Sequence, residues 1–472
     1  MIPFWEKLTS VMANSPPSII RFISSLLGLL ILGACAPLHI PATAAVTPSA
    51  TILQTSSKPT ITVAITPTSP IGIDSNELKG TEITLWQPWI GEREDVLRSM
   101  VEEFNHANDW GIQINVRTIG GIDELAREVQ TVWASPDQPD LVIAYTFQAI
   151  NWQKIKPLVV DWNAYVEDAF WGIPGTEQEK YLPPIWDSGV VKDFRWGIPA
   201  RRDAQVMFQN QSWASELGFT SPPTTTIDFR KQACAAAKAS LIDPQTKQPL
   251  SGGWILSQDY PTILGWINSF NGRIVDPQQD GYQFDTSEVR GAFRYLRQLY
   301  DDGCIYTLKD LNSYDGLATR KGLFVAASSG EYWDFEKAFN IAHNSDNWIV
   351  FPFPSEDGKA HLTVYGTDYL LLQSTPKKQM AGWLFVKWML SKENQMHWSE
   401  KTLSLPMRSD VLEELKVNPQ IPHKIAWLWD VIPGVVQQPA LASWNTVRWM
   451  VADASRQLLA WYFTTDQMDT LL

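Results

Sequence analysis

The chain is poor in the residues from which metal and redox sites are built: it has three cysteines and six histidines in 472 residues. Cys35, Cys234 and Cys304 have spacings that fit no zinc or redox motif. The histidines are scattered, so neither a metal site nor a cofactor is expected. Charge is scarce too, at 19% of residues, below the ~25% of an ordinary globular chain. What charge there is leans acidic, with a formal net charge of -13, which argues against nucleic acid and against anionic membrane faces as partners. No apolar run reaches the ~20 residues of a membrane-spanning helix. Nucleophile elbows, phosphate loops and metalloprotease motifs are also missing, so no enzymatic activity is expected. An extracellular carbohydrate-active enzyme stays open as an alternative, because a glycosidase needs only two carboxylates ~5–10 Å apart.

Hydrophobic residues, in contrast, make up 44% of the chain. At this length they can fill the cores of two domains. Tryptophan is abundant, with 23 copies. Most should be core filler, but its flat apolar face also suits the C–H faces of a sugar ring.

The N-terminal residues read as an address. After Arg21, residues 22–32 form an apolar run of signal-peptide length. It ends in Leu32-Gly33-Ala34-Cys35, which resembles the lipobox of bacterial lipoproteins. There the cysteine thiol takes a diacylglycerol, and two or more acyl chains anchor a protein stably. Residues 1–35 are therefore expected to be a lipoprotein signal peptide, with Cys35 lipidated and the body extracytoplasmic. An ordinary cleaved signal peptide is the alternative. Residues 36–76 are rich in Pro, Thr and Ser. Such a stretch buries too little apolar surface to fold and reads as a tether.

Beyond it, residues 81–86, 111–116 and 139–145 read as strands, with helical periodicity over 94–106 and 122–134. A β-α-β-α-β order predicts a parallel sheet with ligands beyond the carboxyl ends of its strands. Helices are also expected at 227–241, 260–274, 289–300 and 378–390.

Four stretches then carry a resemblance. They are Ile83 to Phe104 with Ile112 to Val116; Gly197-Ile198-Pro199 through Phe208-Gln209-Asn210 and on to Pro222-Pro223-Thr224-Thr225; Leu323 to Ala327 with Phe351-Pro352-Phe353-Pro354; and Lys378 to Trp398, closed by Leu405-Pro406-Met407-Arg408. In this order they are similar to family 1 extracellular solute-binding proteins, the maltose-binding-like group. Leu317 to Gly322 departs from the family's usual pattern, and the Trp content is unusual for it.

The resemblance implies an α/β, two-lobed periplasmic-binding-protein-like fold of type II. Its lobes are joined by crossing strands and close over a ligand by hinge motion. Lobe one is expected at 77–197 and 310–362, and lobe two at 198–309 and 363–472. Crossings are expected near 198–208 and 364–370, with a third between 302 and 324. The implied function is capture of a mono- or oligosaccharide for the permease subunits of an ABC importer, by a monomer held to the membrane only through its lipid. Polyamine, peptide or phosphate ester are the alternative solutes. Ligand contacts are expected from Gln87, Trp89, Tyr145, Gln148, Tyr332 and Trp333 in lobe one and from Arg201 near the hinge. Trp254, Trp266, Asn268, Tyr365, Asp368 and Trp444 would serve from lobe two. Aromatic faces would cover a sugar ring, while amides, Asp and Arg hold its hydroxyls. Arg201 could instead read an acidic group or form a salt bridge between lobes. With Cys35 lipidated, Cys234 and Cys304 are left as an even pair in an oxidising compartment and are expected to form a disulfide.

Overall fold

A computed structural model describes residues 69–276, 281–308 and 311–472. The expected signal peptide, Cys35 and the tether up to residue 68 lie outside them. The expected boundary at 76 is too late. Ser69 Oγ donates to Asp168 Oδ2 at 2.7 Å, and Ile71 and Ile73 pack on the core, so chain that looked too polar to fold is already docked.

The first lobe opens with β1 (Glu82–Gln87), α1 (Glu92–Ala107), β2 (Gln113–Thr118), α2 (Ile122–Thr131), β3 (Leu141–Ala144) and α3 (Thr146–Ile155). β1 lies between β2 and β3 and is parallel to both, as the β-α-β-α-β pattern requires. On α1, Leu97, Met100, Val101 and Phe104 recur at helical spacing, and all four are buried. Each such side chain stabilises the fold by roughly 1.5–3 kcal/mol relative to an exposed one.

The short β4 (Ile198–Pro199) ends this section, and three residues later the chain enters the second lobe as β5 (Asp203–Asn210). Next come α4 (Thr226–Lys238), β6 (Gly252–Ile255), α5 (Tyr260–Ser269), α6 (Ser287–Asp301), β7 (Ile305–Tyr306), α7 (Ser313–Ala318), β8 (Gly322–Ser328), α8 (Tyr332–Ile341), β9 (Trp348–Phe351) and β10 (Thr363–Tyr365). These strands form one sheet around β5, which pairs with β8, β9 and β10.

The chain then recrosses at 365–368. β11 (Asp368–Leu371) pairs with β3 and β4, and α9 (Pro376–Met389) and α10 (Lys392–Thr402) pack on the first lobe, Phe385 edge-on to Phe104. After α11 (Ser409–Val417) the chain returns as β12 (Val436–Gln437), parallel to β10, and finishes with α12 (Trp444–Leu458).

Two expected boundaries therefore shift. Residues 311–362 belong to the sheet of β5, because β8 pairs with β5 and β6. Residues 368–417 belong with the first sheet through β11. The third crossing falls between α11 and β12 rather than between 302 and 324. Edge pairing is invisible in a hydrophobic pattern, since β8 and β11 are buried throughout.

The first two crossings are tied by a buried ion pair. Arg202 Nη2 meets Asp368 Oδ1, with side chains 3% and 2% exposed. Arg202 also donates to Thr367 O at 2.8 Å and to Ser188 Oγ at 2.7 Å. Asp368 Oδ2 accepts from Thr146 N and Oγ1 at 3.2 and 2.8 Å.

Cys234 on α4 and Cys304, in the turn after α6, form a disulfide that closes 70 residues of sequence. A bond closing a loop of this length restricts the unfolded chain and stabilises by about 2–4 kcal/mol. Replacing both cysteines with alanine should lower the unfolding free energy by that amount in urea titrations, and the reducing agent that lowers the wild type should leave the variant unchanged.

Candidate functional site

The loop after β1 is folded by its own amide. Gln87 Oε1 accepts from Trp89 N at 2.6 Å, while Nε2 donates to Trp89 O at 3.0 Å and Thr118 Oγ1 at 2.7 Å. Trp89 turns inward, 5.3 Å from Trp398. Both residues, expected to touch ligand, instead hold the loop that delivers Ile90 and Arg93 to the space between the lobes. Arg93 Nη2 reaches across to Gly330 O at 2.6 Å. A Cβ at position 330 would meet the Arg201 guanidinium and displace it.

Arg201 pairs with Asp203, with Nε donating to Oδ1 at 3.1 Å. Ser328 Oγ donates to the other oxygen of Asp203 at 3.1 Å. Burial, seconded by the charge of Arg201, lowers the Arg93 pKa. Beside it, burial raises the Glu331 carboxyl above its ordinary value, against the pull of Arg93.

Further along the seam, Tyr365 Oη donates to Gln205 Oε1 at 2.9 Å, and Gln205 Nε2 to Thr262 Oγ1 at 2.9 Å. Tyr145 heads α3, with its N–H donating to Gln148 Oε1 at 3.0 Å. Tyr260 Oη donates to Gln438 Oε1 at 3.3 Å, and burial raises the phenols of both Tyr145 and Tyr260, which face one another from opposite lobes. Arg448 of α12 pairs with Asp123 of α2. The polar seam thus runs from Asp123 and Arg448 through Tyr145, Tyr260, Tyr365, Arg201 and Asp203 to Glu331 and Arg93.

At the Arg93 end the lobes leave a groove of about 1290 Å³, walled by the start of α1, by α8 and by the end of α10. Trp333, 37% exposed, offers an aromatic face there, with Ile90 and Ile341 at the rim. Charges of both signs line it: Glu92, Asp334, Glu336 and Glu400 against Arg93, Lys337 and Lys401.

Of the expected ligand residues, Tyr145, Gln148, Arg201, Tyr365 and Trp333 come to the seam or the groove. Tyr332 turns away to pack against Trp348 at 4.9 Å. Trp254 and Trp266 are fully buried, edge-on at 5.6 Å, in a cluster with Phe229 and Phe353. They form the core of the second lobe and do not line the groove. Asn268 is buried and its Oδ1 accepts from Arg273 at 2.7 Å. Trp444 is buried behind Tyr260, edge-on at 5.7 Å. Asp368 is consumed by the hinge.

The residues that the sequence reading missed are Arg93, Asp123, Asp203, Tyr260, Glu331 and Arg448. Arg448 carried a signal: it sits four residues after Trp444 and three before Val451, on the buried stripe of α12, where a lone charge needs a partner. Cys234, Asp302 and Cys304 form the group of potential metal ligands found among the described residues, but both sulfurs are spent in the disulfide.

The sequence matches the family model for bacterial extracellular solute-binding proteins over residues 99–423, well over half of the chain. The chain belongs to this family. No curated protein sequence matches it, but solved structures do. The solute-binding protein is similar to the cyclic alpha-maltosyl-1,6-maltose binding protein of Arthrobacter globiformis, at 17% identity and TM-score 0.67, covering 83% of this chain and 97% of that one. The GacH receptor of Streptomyces glaucescens, solved unliganded and with acarbose, matches at 16% identity and TM-score 0.68 over 83% and 96%. The sugar-binding protein MalE of Xanthomonas citri gives 16% and 0.68 over 83% and 95%. The shared fold is the two-lobed, maltose-binding-like α/β architecture. Family membership places the solute-binding body outside the cytoplasm, among proteins that bind rather than turn over. No helix among the described residues is long and apolar enough to cross a membrane.

The raised Glu331 carboxyl has a pH consequence. The folded chain keeps this proton to higher pH than the unfolded one, so stability falls as pH rises through the folded value and is intact below the unfolded one. Glu331→Gln removes that fall. Its melting temperature should equal wild type near pH 4, by the ordinary glutamate value, and exceed it at neutral pH. A loss at neutral pH would show Arg93 holding the ionised form instead.

Proposed function

We propose that this solute-binding protein captures a neutral mono- or oligosaccharide in the interlobe groove and presents it, unaltered, to the permease subunits of an ABC importer. It does so as a monomer anchored through a lipid on Cys35. The groove carries the reading. Its volume exceeds the ~300–1000 Å³ of drug-sized sites, which leaves room for more than one sugar ring. An exposed indole offers a stacking face. The lining carboxylates, guanidinium and ammonium groups are mixed in sign, which suits an uncharged ligand rich in hydroxyls over an anion or a polyamine. Family membership and the saccharide ligands named for the relatives above support the same class. Cys35 follows Leu32-Gly33-Ala34 in the lipobox-like order.

A thermal-shift panel of neutral sugars, sugar acids, sugar phosphates, polyamines and peptides tests the ligand class. A ligand at 100 times its Kd should add ~2.7 kcal/mol of stability, with the sugar recovered intact. Trp333→Ala should weaken binding at least tenfold, yet leave the ligand-free melting temperature nearly unchanged, because the side chain is partly exposed. A response confined to charged solutes would sink the sugar reading, and loss of the sugar on incubation would point to turnover. Cys35→Ser should move the protein from the membrane to the soluble fraction and abolish acyl labelling.

A further inference from the structure

Arg448 lies where the two lobes meet, away from the open groove. Its side chain is 3% exposed. Phe147 and Tyr145 of the first lobe stand 5.3 and 6.0 Å from its guanidinium carbon, and Tyr260 and Trp449 of the second lobe stand at 5.8 and 4.8 Å. The carboxylate that neutralises it, Asp123, belongs to the first turn of α2 in the other lobe. Gln148 Nε2 donates to Asp123 Oδ1 at 3.4 Å. We propose that Asp123 and Arg448 form a latch that holds the two lobes closed before any solute is bound.

The chemistry is complete only in the closed arrangement. Opening separates Asp123 from Arg448 and removes two of the four rings that face the guanidinium. Both charges then return to water, so the open state is tolerated. In the closed state, loss of Asp123 leaves the buried Arg448 charge desolvated and uncompensated, which is strongly unfavourable, while loss of Arg448 removes the bond that ties α12 to α2. A variant relieves that strain by opening rather than by unfolding, because the pair spans a hinge. A solute that can enter only the open form then binds with an affinity reduced by the fraction of open molecules. Latch strength would thereby set apparent affinity without touching the solute. The inference rests on lobe closure and not on the solute being a sugar.

Hydrogen exchange of the full chain, without solute, reads closure directly, because locally opened segments exchange faster than the core. In Asp123→Asn and in Arg448→Met, residues 145–152 and 444–452 should exchange at least tenfold faster than in wild type, while residues 226–238 stay unchanged. The double variant should exchange no faster than either single one. Small-angle scattering should show a larger radius of gyration for all three. Wild-type exchange in Asp123→Asn, or additive effects in the double variant, would overturn the latch. Should Arg448→Met also loosen 226–238, it has disturbed folding, and Asp123→Asn, at a partly exposed position, decides alone.

Discussion

The ion pair between Arg202 and Asp368 is the constraint on which the two-lobed arrangement depends. It sits where three passages of chain meet. Arg202 belongs to the first crossing and Asp368 to the second. The exit of α10 binds there as well, with Leu405 N donating to Arg202 O at 2.7 Å and Arg202 N donating to Ser404 Oγ at 3.0 Å. Two desolvated charges are stable in such a place because their remaining donors and acceptors are also matched. The α10 exit turns through Leu403 at φ 54°. That left-handed conformation costs a leucine about 1–2 kcal/mol and is sustained by the bonds its neighbours make to Arg202. Gly366 belongs to the same packing, since a Cβ there would overlap Arg201 O.

Around this point, polar groups and apolar groups divide the work. Aromatic clusters make each lobe rigid: Trp254, Trp266 and Phe229 in one, Phe104 and Phe385 in the other. The seam between lobes adds paired charges and phenols to the apolar packing that continues from one lobe into the other. The groove lies at one end of the seam and the Arg448 cage at the other.

Much of the architecture was legible. The alternation of strand and helix periods over 81–145 finds β1 to β3 and the helices between them in the right order, with ends off by up to about three residues, because amphipathic helices and buried strands leave periodic traces. Where the chain passes between lobes was only partly legible: β8 and β11 are buried throughout, and nothing in such a run names its partner. The site was legible at loop ends, where Tyr145, Gln148 and Trp333 follow or flank strands. It was misread at tryptophans on helices. Every residue of α5 is buried, so no polar face marks which way Trp266 points, and an indole that packs a core looks the same in sequence as one that stacks on a ligand. The charged members of the seam were missed because each finds its partner from a distant segment: Asp123 and Arg448 are separated by 325 positions.

The position of β5 has a mechanical consequence. It is held on both edges, by β8 on one side and by β9 and β10 on the other, and it begins immediately after Arg202. Bending cannot spread into such a strand, so rotation concentrates in the few residues of the two neighbouring crossings. The molecule then behaves as two stiff bodies on a short axle. Closure over a solute would then change the angle between them, and a partner touching both bodies at once would meet that change as a change of spacing, with no contact to the solute at all.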